Sequence, residues 1–515
     1  MNSKIVFFII GILGGLAFPP FNVWVPFISV LSLSLYLSYM LYLIETSKNA
    51  KQAFWRMFYL TEISYLIAFS WIMKPFYFLP NNRLLVSLMA SVGVFLFTFF
   101  LTLFIEFSGI FAFKVGKKNM YFIFALSIAF FEWVRGWIFT GLPWNQFALV
   151  WSDIPLVMQV ASLIGPFGLS FLTVFVLSLP YLIFYKKAGW RNHNIIAVIL
   201  VILFVIGFGW WRLEKYENLG KHNFIVRLVD ANLSQKFVDT KYAVERYFSL
   251  VKQDGWKNVD LFVLPETSSP FDLTNNGYYQ TLYAGMNNDK SSLVVGFNRY
   301  DNFDEKFDTY DVYNSFAVMD RGGIKYVYDK RHLVPFGEYI PFKKMLPFQK
   351  FTAGLVDFSE GKSWDMFNLK SFNFLPLICY EIIFSGLRIA EDVDAIVNIS
   401  NDAWFGEIGK YQHLEIAKFR AVEEGVPVIR VSNNGVVGEN SVAVISPLGI
   451  LEDEIKVENL KKFDDGSVVK DFVLPERVER TFYSKTGNWG FLIFCIVSFL
   501  WLFVISKHLD FTKKK

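Results

Sequence analysis

Three stretches of the chain run from an apolar segment straight into side chains that can do chemistry. In Val263-Leu264-Pro265-Glu266-Thr267 a hydrophobic strand ends on a carboxylate. A carboxyl group in that position is partly desolvated, which raises its pKa and suits it to accept a proton. In Tyr328-Asp329-Lys330-Arg331-His332 charged residues cluster between a strand and the turn Pro335-Phe336-Gly337. Lys330 there can stabilise a developing oxyanion or lower the pKa of a nearby thiol. In Leu375-Pro376-Leu377-Ile378-Cys379-Tyr380-Glu381 a strand ends on a thiol. A base, a cation and a sulfur nucleophile are the parts needed for acyl transfer through a cysteine thioester. Taken singly, each stretch also has a plain structural reading: Glu266 as a helix cap or surface carboxylate, Lys330 as part of a solvated charge run, Cys379 as core filler. His332 invites a Cys–His dyad, but Glu266 and Lys330 already supply a base and a cation.

These residues need strands to hold them, and the segment from about 222 onward provides them. Period-2 and short apolar runs predict strands at Phe224–Val229, Leu261–Pro265, Leu293–Phe297, Ser315–Asp320, Lys325–Tyr328, Phe374–Cys379, Ala395–Ile399, Val428–Ser432 and Ser441–Ser446. Helical spacing of Leu414, Ala417, Ala421 and Val422 predicts a helix over Tyr411–Glu424. Asp402 is the expected N-terminal signal upstream of it, and Gly425-Val426-Pro427 is its stop. Strands alternating with helices imply a layered α/β domain.

The remainder is of a different composition. The chain is 54% hydrophobic and 19% aromatic, with 58 Phe and 15 Trp. An ordinary soluble chain is roughly 45–50% apolar. A spanning helix takes about 20 apolar residues because lipid leaves backbone polar groups no other partner. Runs at about 4–20, 23–44, 54–73, 84–113, 120–139, 155–185, 194–211 and 489–506 predict eight spans. The first is expected to be a retained helix, not a cleaved signal. Lys and Arg fall in alternate loops: Lys48, Lys51 and Arg56; Lys114, Lys117 and Lys118; Lys186, Lys187 and Arg191; then Lys507 and Lys513 to Lys515. Such loops stay in the cytoplasm. Both termini are then inside, and the long segment after the seventh span lies outside. The expected organisation is a transmembrane region over 1–211, an extracytoplasmic catalytic domain over 212–488, and an eighth span with a basic tail over 489–515. In an oxidising compartment an unpaired thiol is a liability unless it is used. Cys379 is the cysteine placed there, while Cys495 lies within the last span. Glu132 and Arg135, at i and i+3 near the end of the fifth run, can pair on one face. Such a pair is structural or meets a lipid headgroup.

The net charge of +4 argues against a nucleic-acid partner. Five scattered histidines without HExxH or CxxC spacing give a zinc site no support, and nothing calls for a cofactor.

With these strings in view, the chain resembles the bacterial apolipoprotein N-acyltransferases, the membrane-bound branch of the nitrilase superfamily. The matching strings are Leu264-Pro265-Glu266, Asp329-Lys330-Arg331-His332-Leu333-Val334-Pro335-Phe336-Gly337-Glu338-Tyr339 and Ile378-Cys379-Tyr380-Glu381. Others are the Gly14 to Phe21 stretch, Glu132 to Trp137 with Gly141 to Trp144, Asn398 to Gly406, and Thr481 to Trp489. The resemblance implies an αββα sandwich beside a multi-pass helical domain, with Glu266, Lys330 and Cys379 as a catalytic triad and Glu338, Tyr380 and Glu381 in support. It implies transfer of an acyl chain from a phospholipid, through Cys379, to the N-terminal cysteine amine of a diacylglyceryl apolipoprotein. It also implies an inner-membrane location with the catalytic domain in the periplasm. A monomer is expected. The chain departs from the family at Asp230 to Phe237, where Phe237 stands in place of a tryptophan. The apolar stretch Pro341–Phe358, with Phe342, Phe348 and Phe351, is expected to act as a lid dipping into the bilayer or to pack on its own domain; Trp404 is a further candidate lipid contact. The rival readings are a membrane-tethered nitrilase-type amidohydrolase or acyl hydrolase with water as acceptor, and a transporter with an accessory domain.

Overall fold

The computed structural model describes residues 3–78, 83–115, 119–189, 191–233, 240–304, 309–341, 343, 357–387, 392–433, 442–455 and 465–512. The first part of the chain is helical: α1 (Ser3–Gly15), α2 (Pro26–Glu45), α3 (Ala50–Ala68), α4 (Arg83–Val115), α5 (Met120–Arg135), α6 (Ala161–Leu177) and α7 (His193–Lys215). Among the described residues, four segments are long and apolar enough to cross a membrane: Pro26–Glu45, Leu84–Val115, Ala161–Tyr185 and His193–Lys215. The chain is therefore a membrane protein. Helices α1, α3 and α5 fall where spans are expected but are shorter or more polar; α5 has 16 residues and ends in Glu132 and Arg135.

The expected sixth run is interrupted. A short turn at Pro155–Met158 precedes α6, and α6 itself breaks at Gly165, whose φ is +66°. A Cβ there would stand 2.1 Å from a ring carbon of Tyr483, so only glycine permits this packing.

Two sheets follow. Strands β1 (Lys221–Asp230), β2 (Leu261–Val263), β3 (Ser292–Asp304), β4 (Thr309–Asp320), β5 (Gly323–Asp329) and β11 (Val468–Pro475) form one, in the order β11-β1-β2-β3-β4-β5. Strands β6 (Phe367–Leu369), β7 (Phe372–Ile378), β8 (Ala395–Asn401), β9 (Val428–Asn433) and β10 (Val442–Ile445) form the other, in the order β10-β9-β8-β7-β6. All nine expected strands are present. Two more, β6 and β11, pair antiparallel with β7 and β1.

Alternation along these strands gives each sheet an inner and an outer face. Val226, Leu228, Val263, Val294 and Phe316 of the first sheet meet Phe374, Ile378, Val397, Ile399 and Val431 of the second in one buried cluster. The other face of the first sheet packs Phe262, Leu264, Val295 and Phe297 against α8 (Thr240–Val251) and α9 (Gly277–Ala284). The outer face of the second sheet is covered by α10 (Glu407–Glu424). The order helix–sheet–sheet–helix is the αββα sandwich that the resemblance implies.

Helix α10 has a second neighbour. Leu414, Ile416, Ala417 and Phe419 belong to the same apolar cluster as Leu377 and Ile396 of the sheet and as Trp144, Met158 and Phe167 of the helical part. It is therefore buried on both sides. Its Glu415–Lys418 and Arg420–Glu423 charges pair at i, i+3 within that setting. Gly425 ends it in the left-handed conformation, with φ +75° and its N–H bonded to the Ala421 carbonyl. At the other end Gly406, not Asp402, holds the cap position. Asp402 is buried in a separate network. The last helix, α11 (Trp489–Thr512), returns to the helical part.

Candidate active site

Strands β2 and β3 run parallel, β5 shares their direction through the antiparallel β4, and β7 leads the other sheet's parallel set. Their carboxyl ends carry Glu266, Lys330 and Cys379, and the two sheets bring those ends together. Lys330 Nζ lies 3.9 Å from Glu266 Oε1, and the Cys379 thiol and the Glu266 carboxyl group are near enough that each shifts the other's titration. All three are buried: Glu266 is 8% exposed, Lys330 1% and Cys379 7%.

Close approach is needed to seat Glu266, and glycine permits it. A Cβ on Gly296 of β3 would stand 2.7 Å from the Glu266 Cα. The Glu266 N–H then reaches across to the Ser400 carbonyl of the other sheet, at 3.3 Å.

Glu338 completes the charge arrangement. Its Oε1 accepts from Lys330 Nζ at 3.0 Å, and its Oε2 accepts the Val334 N–H at 2.8 Å. Asn314 of β4 donates through one Nδ2 to both Glu266 Oε1 (2.6 Å) and Glu338 Oε1 (2.9 Å). Sequence reasoning missed Asn314; the signal that marks it is a polar residue inside an otherwise apolar strand.

Glu381 does not face the thiol. Its Oε1 accepts from the Tyr328 hydroxyl and the Arg331 and His332 N–H groups, and its Oε2 accepts the Ile378 N–H. It therefore ties the Lys330 loop to the residue before the nucleophile. The Tyr380 hydroxyl donates to the Gly141 carbonyl of the helical part at 2.8 Å, and His332 Nε2 lies 2.6 Å from the Thr140 carbonyl. His332 is thus turned to the membrane-side loop, and a Cys–His dyad is not formed with it.

Burial raises the Glu266 pKa above the ordinary carboxylate range; Lys330 opposes this, and Glu338 adds to it. Burial disfavours the Lys330 ammonium, but Glu338 and Glu266 outweigh it and hold its pKa above the usual lysine value. The Cys379 thiol is pushed well up, by burial first and then by the Glu266 charge, against the pull of Lys330. Lys330 alone therefore does not make a resting thiolate. The thiol keeps its proton until Glu266 takes it.

Beneath the nucleophile sits a second polar cluster. Cys379 has a φ of +49°, a sparsely populated conformation for a residue with a side chain. His413 of α10 brings Nε2 to 3.3 Å from the Cys379 carbonyl oxygen. Its Nδ1 lies 2.9 Å from Asp402 Oδ1 and 3.1 Å from Arg430 Nη2. Arg430 also pairs with Asp402 at 2.8 Å. Burial would raise the Asp402 pKa, but Arg430 and His413 hold it well below the usual range.

Next to His413, Gln412 joins the catalytic fold to the membrane part with all its amide atoms. Oε1 accepts from the indoles of Trp71 (2.9 Å) and Trp144 (2.7 Å), and Nε2 donates to the carbonyls of Pro19 (3.1 Å) and Ala68 (2.9 Å). Glu132 and Arg135 hold the same region, and their hydrogen bonds go to its loop instead of to each other. Glu132 Oε1 accepts the Phe147 N–H, and Arg135 Nη2 donates to the Trp144 carbonyl. Trp404 is half-buried in the turn Asp402–Trp404 that follows β8. Phe237, Phe342, Phe348 and Phe351 lie outside the described residues. No group of three or more His, Cys, Asp and Glu fit to hold a metal occurs among the described residues.

Residues 10–179 match the apolipoprotein N-acyltransferase N-terminal domain, and residues 226–457 match the carbon-nitrogen hydrolase family. A Rickettsia bellii protein named apolipoprotein N-acyltransferase is 32% identical over 99% of this chain and 99% of its own length. A Rickettsia prowazekii protein of the same name is 30% identical over the same shares. A solved CN-hydrolase superfamily protein from Xanthomonas campestris aligns with 48% of this chain and 90% of its own, at 20% identity and a TM-score of 0.34.

Proposed function

The chain belongs to the apolipoprotein N-acyltransferase family, and on that premise we propose that Cys379 carries the acyl group between a phospholipid donor and an apolipoprotein acceptor. The enzyme is an acyltransferase of lipoprotein maturation. The observation that carries the reading is a buried thiol gathered with Glu266 and Lys330, whose Nζ lies 3.9 Å from the Glu266 carboxyl group, on a chain that also holds helices fit for a membrane.

Glu266 takes the thiol proton as sulfur attacks the ester carbonyl of the phospholipid. The tetrahedral oxyanion is met by Lys330 and a backbone N–H beside the nucleophile. The ester C–O bond breaks, the leaving alkoxide takes the proton from Glu266, and lysophospholipid departs from an acyl-thioester. The N-terminal cysteine amine of the diacylglyceryl apolipoprotein then attacks the thioester. Glu266 accepts its proton, the C–S bond breaks, and the thiolate recovers that proton. The product is an amide, more stable than the thioester, so the second half runs downhill. Glu338 and Asn314 keep Lys330 and Glu266 in place; Glu381 and Tyr380 fix the loops around them.

Helices α1, α3, α5 and α11 complete eight spans with the four segments that are long and apolar enough to cross a membrane. The basic loops holding Lys48, Lys51 and Arg56, then Lys114, then Lys186, Lys187 and Arg191 face the cytoplasm, so the sandwich faces the periplasm from the inner membrane. Both substrates are lipids and reach the site by lateral diffusion. The enzyme works as a monomer.

The test uses full-length enzyme in vesicles whose phospholipid carries a labelled acyl chain. One lysolipid per enzyme and label on Cys379 are expected without acceptor, with chase onto an N-terminal cysteine peptide bearing diacylglycerol. Cys379→Ser should bind no label. Continuous lysolipid release without acceptor would overturn transfer in favour of hydrolysis.

A further inference from the structure

Arg430 Nη2 can only donate, so the tautomer in which His413 Nδ1 accepts from it at 3.1 Å carries its hydrogen on Nε2, facing the acceptor-only carbonyl oxygen of Cys379 at 3.3 Å. Every other contact of that ring also fixes its direction. Arg430, itself paired with Asp402, holds Nδ1, and the ring stacks on Trp144 with centroids 5.5 Å apart and planes 30° apart. His413 is fully buried, and the adjacent Gln412 anchors the same turn of α10 to four residues of the membrane part.

A trans peptide is planar, with its C=O and N–H pointing opposite ways. The peptide joining Cys379 to Tyr380 is trans. Holding its carbonyl against α10 therefore turns the Tyr380 N–H away from α10, toward the side where the acyl carbonyl must lie. The +49° φ of Cys379 is the conformation that makes this orientation costly to keep without a partner.

We propose that His413 is a positioning residue that, through the Cys379 carbonyl, aims the Tyr380 N–H at the oxyanion formed during acyl transfer. It touches neither substrate nor sulfur. The proposal rests on the acyl-transfer reading of Cys379 and adds to it the source of the backbone donor's alignment. It also explains why the membrane part reaches the chemistry: Trp144 stacks on the ring, and Gln412 fixes the turn that carries it.

The test compares His413→Phe, which keeps a ring against Trp144 but has no donor, with His413→Gln, which restores an N–H. Acyl-enzyme formation from labelled phospholipid is read beside alkylation of Cys379 by iodoacetamide, which displaces iodide at an sp³ carbon and forms no oxyanion. Loss of one oxyanion donor costs about 10²–10³-fold in rate. His413→Phe is expected to slow acylation by at least about tenfold and up to that range, with KM for phospholipid and the alkylation rate held near the parent values. His413→Gln should recover most of the loss. Acylation at the parent rate in His413→Phe, or equal loss of acylation and alkylation, overturns the proposal, as does failure of His413→Gln to recover any activity. A parent enzyme that never forms acyl-Cys379 instead refutes the acyl-transfer reading, before any His413 comparison.

Discussion

Asn314→Ala should move the acid limb of the acylation rate upward. Glu266 must be ionised to take the thiol proton, so the rate falls as pH drops through its pKa. That pKa already lies above the ordinary carboxylate range because the group is buried, and the Asn314 amide is one of the groups that hold it down. The Asn314 Nδ2 to Glu266 Oε1 distance of 2.6 Å marks a strong donor to the charged form. A hydrogen bond to a charged group contributes about 1.5–3 kcal/mol, and one pKa unit corresponds to about 1.36 kcal/mol. Removing it should shift the acid limb up by about 1–2 pH units. Lys330 keeps its 3.0 Å contact with Glu338, so the plateau at higher pH should fall much less than the rate near neutrality. The assay is the initial burst of lysolipid measured from pH 5 to pH 9. An unmoved acid limb, a limb moved to lower pH, or a uniform scaling of the whole profile would refute the reasoning.

Glu381→Gln should lower Tm more than Tyr328→Phe. The first sets an amide against several N–H donors, at about 1–3 kcal/mol for each one left unpaired, whereas the second deletes one bond of about 1 kcal/mol; equal shifts would contradict this. Gly165→Ala should cut the yield of folded enzyme, because its Cβ meets the Tyr483 ring, and adding Tyr483→Ala should restore part of the loss. Gln412→Leu strands two indole N–H groups and two carbonyls at the junction. It should raise protease sensitivity between the two halves of the chain, which limited proteolysis of the intact enzyme in vesicles would detect.

Much of the site can be read from the sequence, because each strand end changes abruptly from apolar to chemically useful residues. Glu266, Lys330 and Cys379 stand out by that contrast, and three strand ends, two from one sheet and one from the other, explain why contrast in sequence becomes proximity in space. Asn314 does not stand out, since a polar residue in a strand looks like an edge position until its two carboxylate partners are known. Asp402 misleads for a related reason: an acidic residue ahead of a helix resembles a cap, and only Arg430, a strand away, shows otherwise. His413 sits among Lys410, Glu415 and Lys418 on a helix that reads as half exposed. Its burial comes from the membrane part, whose partner residues are hundreds of positions away. Strand β6 has three residues and leaves little periodicity. Strand β11 follows a long polar stretch and finds its partner in β1, at the other end of the domain. The short α5 shows the limit of counting apolar residues, because its last turn is charged in order to hold the Trp144 loop.

The two-sided burial of α10 has a bearing on how the enzyme is made. A sandwich whose outer helix needs another surface cannot finish its own core in water. Helices α1 to α7 precede it along the chain, so the platform that receives α10 is synthesised before the strands it will cover. The catalytic half then matures against a surface already in place, and a ribosome that stalled after the seventh helix would leave a template waiting, whereas a sandwich released alone would expose Leu414 and Phe419 and be drawn to chaperones or proteases.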